Sequence, residues 1–182
     1  MSITKKQLNR YSRQIVLPEF GIKGQERLLA SSVLVVGVGG LGCSALQFLV
    51  SAGVGRVTLI DDDQVSESNL QRQVLFSEDD CGKNKALVAK EKLSLLNSDV
   101  QIQAFPNRFS VSNSKELSLG HDLILDCSDN FGTRYLINDA CVLAEKPFVS
   151  ASILRFKGQV GCLLYTSPSP RDATLSRMPS SA

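Results

Sequence analysis

The stretch VLVVGVGGLG, Val33–Gly42, decides the fold. An apolar run, Val33 to Val36, passes without polar interruption into a glycine-rich turn. Such a run reads as a strand buried on both faces, as in a parallel sheet. Gly37, Gly39 and Gly42 satisfy GxGxxG, and Gly40 lies among them. Without Cβ atoms the backbone bends sharply and comes close to a phosphate, while the helix behind it presents unpaired N–H groups and a partial positive charge. The glycines alone do not select the phosphate. The pyrophosphate of a dinucleotide such as NAD and the triphosphate of ATP both fit them.

Working outward, strands alternate with helices. Upstream, residues 4–17 carry Leu8, Tyr11, Ile15 and Val16 near helical spacing, and Pro18 stops that helix. GIKGQERLLAS gives a second short helix before the strand. Downstream, Leu41 to Ala52 is a helix closed by Gly53, and RVTLIDDD is a strand ending in three carboxylates. KNKALVAKEKLSLLN repeats its apolar residues at three- and four-residue steps, as a helix does. QIQAF alternates as a strand, HDLILDCSDN is a strand ending in acid, and TRYLINDACVLAEK is a helix closed by Pro147. FVSASI and GQVG are the last strand candidates. The expected fold is a doubly wound, mostly parallel, Rossmann-like α/β sheet with an N-terminal helical extension.

Composition excludes several classes. Hydrophobic content of 43% and charged content of 21% describe a globular chain with a sizeable core. A formal charge of +2 with scattered Lys and Arg argues against a nucleic-acid footprint. The opening MSITKKQLNRYSRQ has no apolar signal-peptide region, and no run reaches membrane-spanning length. The five cysteines, Cys43, Cys81, Cys127, Cys141 and Cys162, form no CxxC pair. A reducing cytoplasm is therefore the expected location. Cys43 and Cys127 read as small buried thiols, and the single histidine, His121, reads as structural.

In doubly wound sheets the ligand sits beyond the carboxyl ends of the strands. Three segments should therefore meet there: the glycine turn, Asp61–Asp63, and Asp126–Asn130. Asp61 follows Gly42 by 19 positions and suits a ribose diol. Asp62 and Asp63 read as solvating the strand end. Asn69 and Arg72 are one helical turn apart, so both point at one ligand. Lys85 opens a helix, where an ammonium meets phosphate oxygens, and Asp129 follows a strand, where a carboxylate holds Mg²⁺ together with phosphates. A site that brings a carboxylate up to an α-phosphate needs such cations. A nicotinamide site does not, and this convergence favours ATP.

RYSRQIVLPEFGIKGQERL, VLVVGVGGLGC, SAGVGRVTLID, VSESNLQRQ, GKNKA and DLILDCSDN follow one another as in the sulfur-carrier-protein adenylyltransferases. This is the family of the molybdopterin-synthase and thiamine-biosynthesis activating enzymes, related to the ubiquitin-activating enzymes. The resemblance covers residues 8–161. It implies ATP-dependent adenylation of the C-terminal glycine carboxylate of a ubiquitin-like sulfur carrier, with release of pyrophosphate. By the resemblance, Asp61 holds the ribose, Gly40 approaches the phosphates, and Ser68, Asn69 and Arg72 line the nucleotide site. Arg72 and Lys85 stabilise charge on the phosphates, and Asp129 binds Mg²⁺ with Asn130 beside it. Arg13 resembles an arginine that reaches the neighbouring subunit's ATP, which implies a homodimer. A sulfur donor is a further implied partner, and no membrane is involved.

Family members continue past GQV with a half-domain, often with two CxxC pairs for structural zinc. Here CLLYTSPSPRDATLSRMPSSA follows instead. Its first part resembles the translation of a transposase-type sequencing-library adapter. Residues 1–161 are therefore expected to be the N-terminal part of an adenylation domain, and 162–182 a non-native, disordered tail. The fragment is expected to be inactive. Within the family, tRNA-modifying dehydratases and peptide-modifying relatives are the alternatives, and a nicotinamide-dependent oxidoreductase is the alternative from another class.

Overall fold

The computed structural model describes residues 3–163, and the greater part of the expected tail, residues 164–182, lies outside the described residues. The chain opens with helices α1 (Lys5–Arg10), α2 (Ser12–Ile15) and α3 (Gly21–Ala30). Thr4 caps α1 through a reciprocal pair with Gln7. The helix expected as one piece before Pro18 is broken at Tyr11, whose ring is buried while its neighbours stay exposed.

A βα alternation follows: β1 (Ser32–Val36), α4 (Gly40–Ala52), β2 (Arg56–Ile60), α5 (Lys85–Leu96), β3 (Gln101–Phe105), α6 (Val111–Leu119), β4 (Leu123–Asp126), α7 (Phe131–Ala144), β5 (Phe148–Leu154) and β6 (Lys157–Leu163). The strands form one six-stranded sheet in the order β3-β2-β1-β4-β5-β6. All pairings are parallel except β5–β6, an antiparallel hairpin. Strand order reverses between β1 and β4, and that switch point is where such a sheet opens a crevice.

Alternation along β1 builds three layers. Val33 and Val35 face Leu46 and Val50 of α4 and Ala89 and Leu93 of α5. Leu34 and Val36 face Ile137 and Cys141 of α7 on the other side. Glycine ends α4, because Gly53 takes φ 87° against the Tyr11 ring. Among the described residues no helix is long and apolar enough to cross a membrane.

Two further elements depart from the sequence reading. Helix α6 was not expected. Its start is set by a reciprocal cap between Ser110 and Asn113, and its buried face carries the small polar Ser114 and Ser118 rather than an apolar stripe. Strand β6 runs beyond the expected end at Gly161, with Cys162 opposite Val149 and Leu163 opposite Phe148. His121 is structural as read: its Nδ1 donates to the Leu117 carbonyl at 2.6 Å, and its Nε2 accepts from Thr58 Oγ1 at 2.7 Å. Burial holds its pKa below the ordinary imidazole value.

Candidate active site

A cleft of about 740 Å³ opens at the carboxyl ends of the strands. Its floor is the turn between β1 and α4. Gly37 sits at φ 94°, and a Cβ there would lie 2.8 Å from the Cys127 carbonyl oxygen, so only glycine lets the two loops cross at the switch point. Gly39 and Gly40 line the cleft. Gly39 caps α4 without any side-chain acceptor, which leaves the first N–H groups of a 13-residue helix directed at the opening. Gly42 does not line the cleft. A Cβ there would stand 2.1 Å from the Gly37 oxygen, so the missing side chain answers a packing constraint inside the turn.

The end of β2 is more structured than a solvated acidic run. Asp61 accepts from the Val38 N–H at 2.6 Å and from the Asp63 N–H at 2.8 Å. It thus ties the glycine turn to β2 while each oxygen keeps further acceptor capacity. Burial raises its pKa against the pull of those N–H groups. Asn84 donates from Nδ2 to the carbonyls of Asp61 and Asp63, at 3.1 and 3.2 Å. Its Oδ1 caps α5 at the Leu87 N–H. That fold-back buries the Lys85 side chain to 6% exposure and sets its ammonium 2.9 Å from the carboxylate of Asp63. Asp63 therefore serves as the partner of Lys85, beyond the solvating role expected of it.

Asn69 and Arg72 reach the cleft together, as their spacing predicts. Ser68 does not line it; its Oγ accepts from Asn69 Nδ2 at 3.0 Å, and its carbonyl accepts from Arg72 Nη1 at 3.4 Å. Opposite, Ser128, Asp129 and Asn130 follow β4. Asp126 holds this loop by accepting from the Ser128 N–H at 3.1 Å, Ser128 Oγ at 2.6 Å and Ser150 Oγ at 2.8 Å. Asn130 caps α7 through the Thr133 N–H at 2.9 Å. The Asp129 carboxylate is exposed on the cleft, and no side chain among the described residues pairs with it.

The only group of three or more His, Cys, Asp and Glu among the described residues close enough to share an ion is Asp61–Asp63, within 4.8 Å. The Lys85 ammonium already occupies its edge. No cysteine cluster exists among the described residues, so a zinc site does not fit them. Burial pushes the thiol of Cys43 up to about 11 and that of Cys127, half-buried on the cleft, to about 12, away from the range of an activated thiolate.

A family model described as the ThiF family matches residues 11–178. The chain belongs to the ThiF family. Relative to this ThiF chain, the sulfur carrier protein adenylyltransferase of Thermus thermophilus is 52% identical over 160 residues, a match that takes in 88% of the chain and 59% of that protein. A crystal structure of E. coli MccB with AMPCPP and MccA superposes with a TM-score of 0.75 at 31% identity, covering 86% of the chain and 48% of MccB. The E. coli tRNA N6-threonylcarbamoyladenosine dehydratase, TcdA, superposes with a TM-score of 0.77 at 26% identity, covering 82% of the chain and 62% of TcdA. The ThiF chain thus spans about half to three-fifths of these proteins.

Of the expected site residues, Arg13 stands apart. It is exposed on α2, beside Tyr11, which packs on Gly53 at the far end of α4 from the cleft. Thirteen residues of helix separate the two ends by roughly 20 Å. Gln73, Arg108, Phe109 and Arg134 line the cleft without having been singled out. Arg134 donates from Nη2 to the carbonyls of Ser128 and Ala151, at 2.8 and 3.2 Å, and so fixes the loop after β4. Gln73 stood in the quoted SNLQRQ motif and was the one signal available there.

Proposed function

We propose that the whole protein adenylates the C-terminal glycine carboxylate of a ubiquitin-like sulfur carrier, using ATP. The observation that carries this reading is the convergence of Arg72, Lys85 and Asp129 on a glycine turn at a helix N-terminus. Two anionic reactants meet in such a reaction, and cations beside the phosphates offset their repulsion. The 52% identity to a sulfur carrier protein adenylyltransferase supports the same assignment. The nicotinamide alternative has no use for two cations flanking the phosphate turn.

In this reading Asp61 accepts from the ribose and the α4 N–H groups cradle the phosphates. The carrier carboxylate oxygen forms a bond to the α-phosphorus, the bond to the β-phosphate oxygen breaks, and pyrophosphate leaves. Arg72 and Lys85 follow the charge that moves onto pyrophosphate, Lys85 exchanging Asp63 for phosphate oxygens. The exposed, unpaired carboxylate of Asp129 fits a single protein ligand to Mg²⁺, which would supply further charge neutralisation when bound. The nucleophile comes with the substrate, so no thiol or hydroxyl of this chain is needed. A peptide or a modified tRNA base as acceptor, suggested by the likeness to MccB and TcdA, would use the same nucleotide chemistry.

The test is exchange of labelled pyrophosphate into ATP by the full-length protein. Exchange should require carrier and Mg²⁺, and Asp129→Ala should abolish it. Arg72→Ala should lower it by about 10²–10³, the usual loss when one donor to a developing charge is removed. Exchange supported by tRNA or a short peptide and not by a carrier would shift the assignment to those relatives.

Arg13 stands toward the far end of α4 from its own cleft, and in this proposal it serves a partner's site across a symmetric dimer. Mixing Arg13→Ala with Lys85→Ala subunits should restore part of the activity, because one site of each hybrid dimer is then intact. Verified heterodimers without recovery would rule out the trans arrangement.

A further inference from the structure

Gln73 is buried to 3% exposure at the edge of the cleft, and the proposed reaction gives it no part. Its Nε2 donates to Asn69 Oδ1 at 3.0 Å. Its Oε1 is buried with no hydrogen-bond partner among the described residues. A buried, half-satisfied amide is an expensive way to fill space, since an apolar side chain of similar length would leave no orphan. The polarity of Gln73 therefore has a use, and the contact to Asn69 shows what it is.

An asparagine amide offers an acceptor edge and a donor edge of nearly the same shape. Only the donor edge suits an anion. The two residues are one turn apart, with the Gln73 N–H bonded to the Asn69 carbonyl at 3.0 Å, so their side chains stack on one side of the turn. Because Gln73 donates to Oδ1, the acceptor edge of Asn69 is occupied inside the protein. Its Nδ2 donates to Ser68 Oγ at 3.0 Å, and the second Nδ2 proton has no acceptor among the described residues. Gln73 Nε2 also lies 3.8 Å from the point where a Cβ on Gly39 would be, so the same amide backs the phosphate turn.

We propose that Gln73 is a positioning residue that locks Asn69 with its N–H edge toward the cleft, making the site selective for phosphate-bearing nucleotides. The proposal rests on the nucleotide reading of the cleft. Gln73→Met keeps the volume and frees the Asn69 amide to turn. Gln73→Glu accepts from Asn69 Nδ2 and turns its oxygen to the ligand.

The experiment is calorimetric titration of the 182-residue chain and its variants with ATP and with adenosine. ATP affinity should fall about tenfold in Gln73→Met and about a hundredfold in Gln73→Glu, the scale of one charge-assisted hydrogen bond and of its inversion. Adenosine affinity should stay within about twofold, because adenosine carries no phosphate. In an Asn69→Ala background, Gln73→Met should cost nothing further. Equal ATP affinity in wild type and a folded Gln73→Met overturns the proposal. So does an equal loss with and without Asn69, which would mark Gln73 as structural only. Wild type that binds neither ligand overturns the nucleotide reading itself, and the proposal with it.

Discussion

Strands β1 and β6 belong to one sheet and have opposite fates. All five residues of β1 are buried, with α4 and α5 packed on one face and α7 on the other. All seven residues of β6 are exposed, although each pairs with β5. Strand β5 spans the contrast, from Phe148 at 3% exposure to Leu154 at 76%. Hydrogen bonding along a ladder and removal of apolar surface from water are separate contributions. The second supplies most of the stability, and strand β6 has only the first. Ile153, Leu154, Phe156 and Val160 accordingly remain exposed in the β5–β6 hairpin.

Truncation in the centre of the sheet is the largest expected effect. Leu34→Ala, at 0% exposure in β1, should cost about 2–5 kcal/mol in chemical denaturation, since the layers on both sides cannot collapse into the space. A loss below about 1 kcal/mol would mean the centre is no better packed than the hairpin.

A pair of carboxylates sharpens the same contrast in polar terms. Asp129 has no partner among the described residues, whereas Asp80 is buried with Lys92 and Ser77. Burial works against the Asp80 charge, but the hydrogen bonds from Lys92 and Ser77 prevail and lower its pKa from 3.8 to about 2. A carboxyl whose folded pKa is depressed adds stability above its unfolded value and loses it as pH falls through the folded one. Asp80 should therefore contribute about 1–2 kcal/mol at neutral pH, fading between about pH 4 and pH 2. Melting of wild type and Asp80→Asn across that window should converge at the acid end. Curves that stay parallel would show that the Asp80 ion pair contributes nothing.

Val160→Ala, at 78% exposure in β6, is the smallest effect, within about 0.5 kcal/mol. A loss of more than about 1 kcal/mol would mean that β6 is covered in solution and would erase the contrast with β1.

Much of the site was legible because it is local. The glycine turn, the acid at the end of β2 and the DCSDN loop each follow a strand, and a parallel sheet brings such segments to one edge. Helix α6 was not legible, because its buried Ser114 and Ser118 leave no apolar stripe. At Gly42 the spacing is legible but its packing reason is not, since the constraint is the Gly37 carbonyl behind it, a contact that closes only when the turn folds.

What the sequence determined by itself was the alternation of strands and helices, the glycine turn and the charge types gathered around it. These follow from the period of apolar residues and from glycine's missing Cβ, both of which act over a few residues. The tertiary structure alone decided which charges pair and which remain available. Lys85 rests on Asp63, Asn69 is held by Gln73, Arg134 braces Ser128, and Asp129 is left facing the cleft. Those choices depend on which side chains the loops bring within about 3 Å of one another, the reach of a hydrogen bond, and spacing along the chain does not encode that distance.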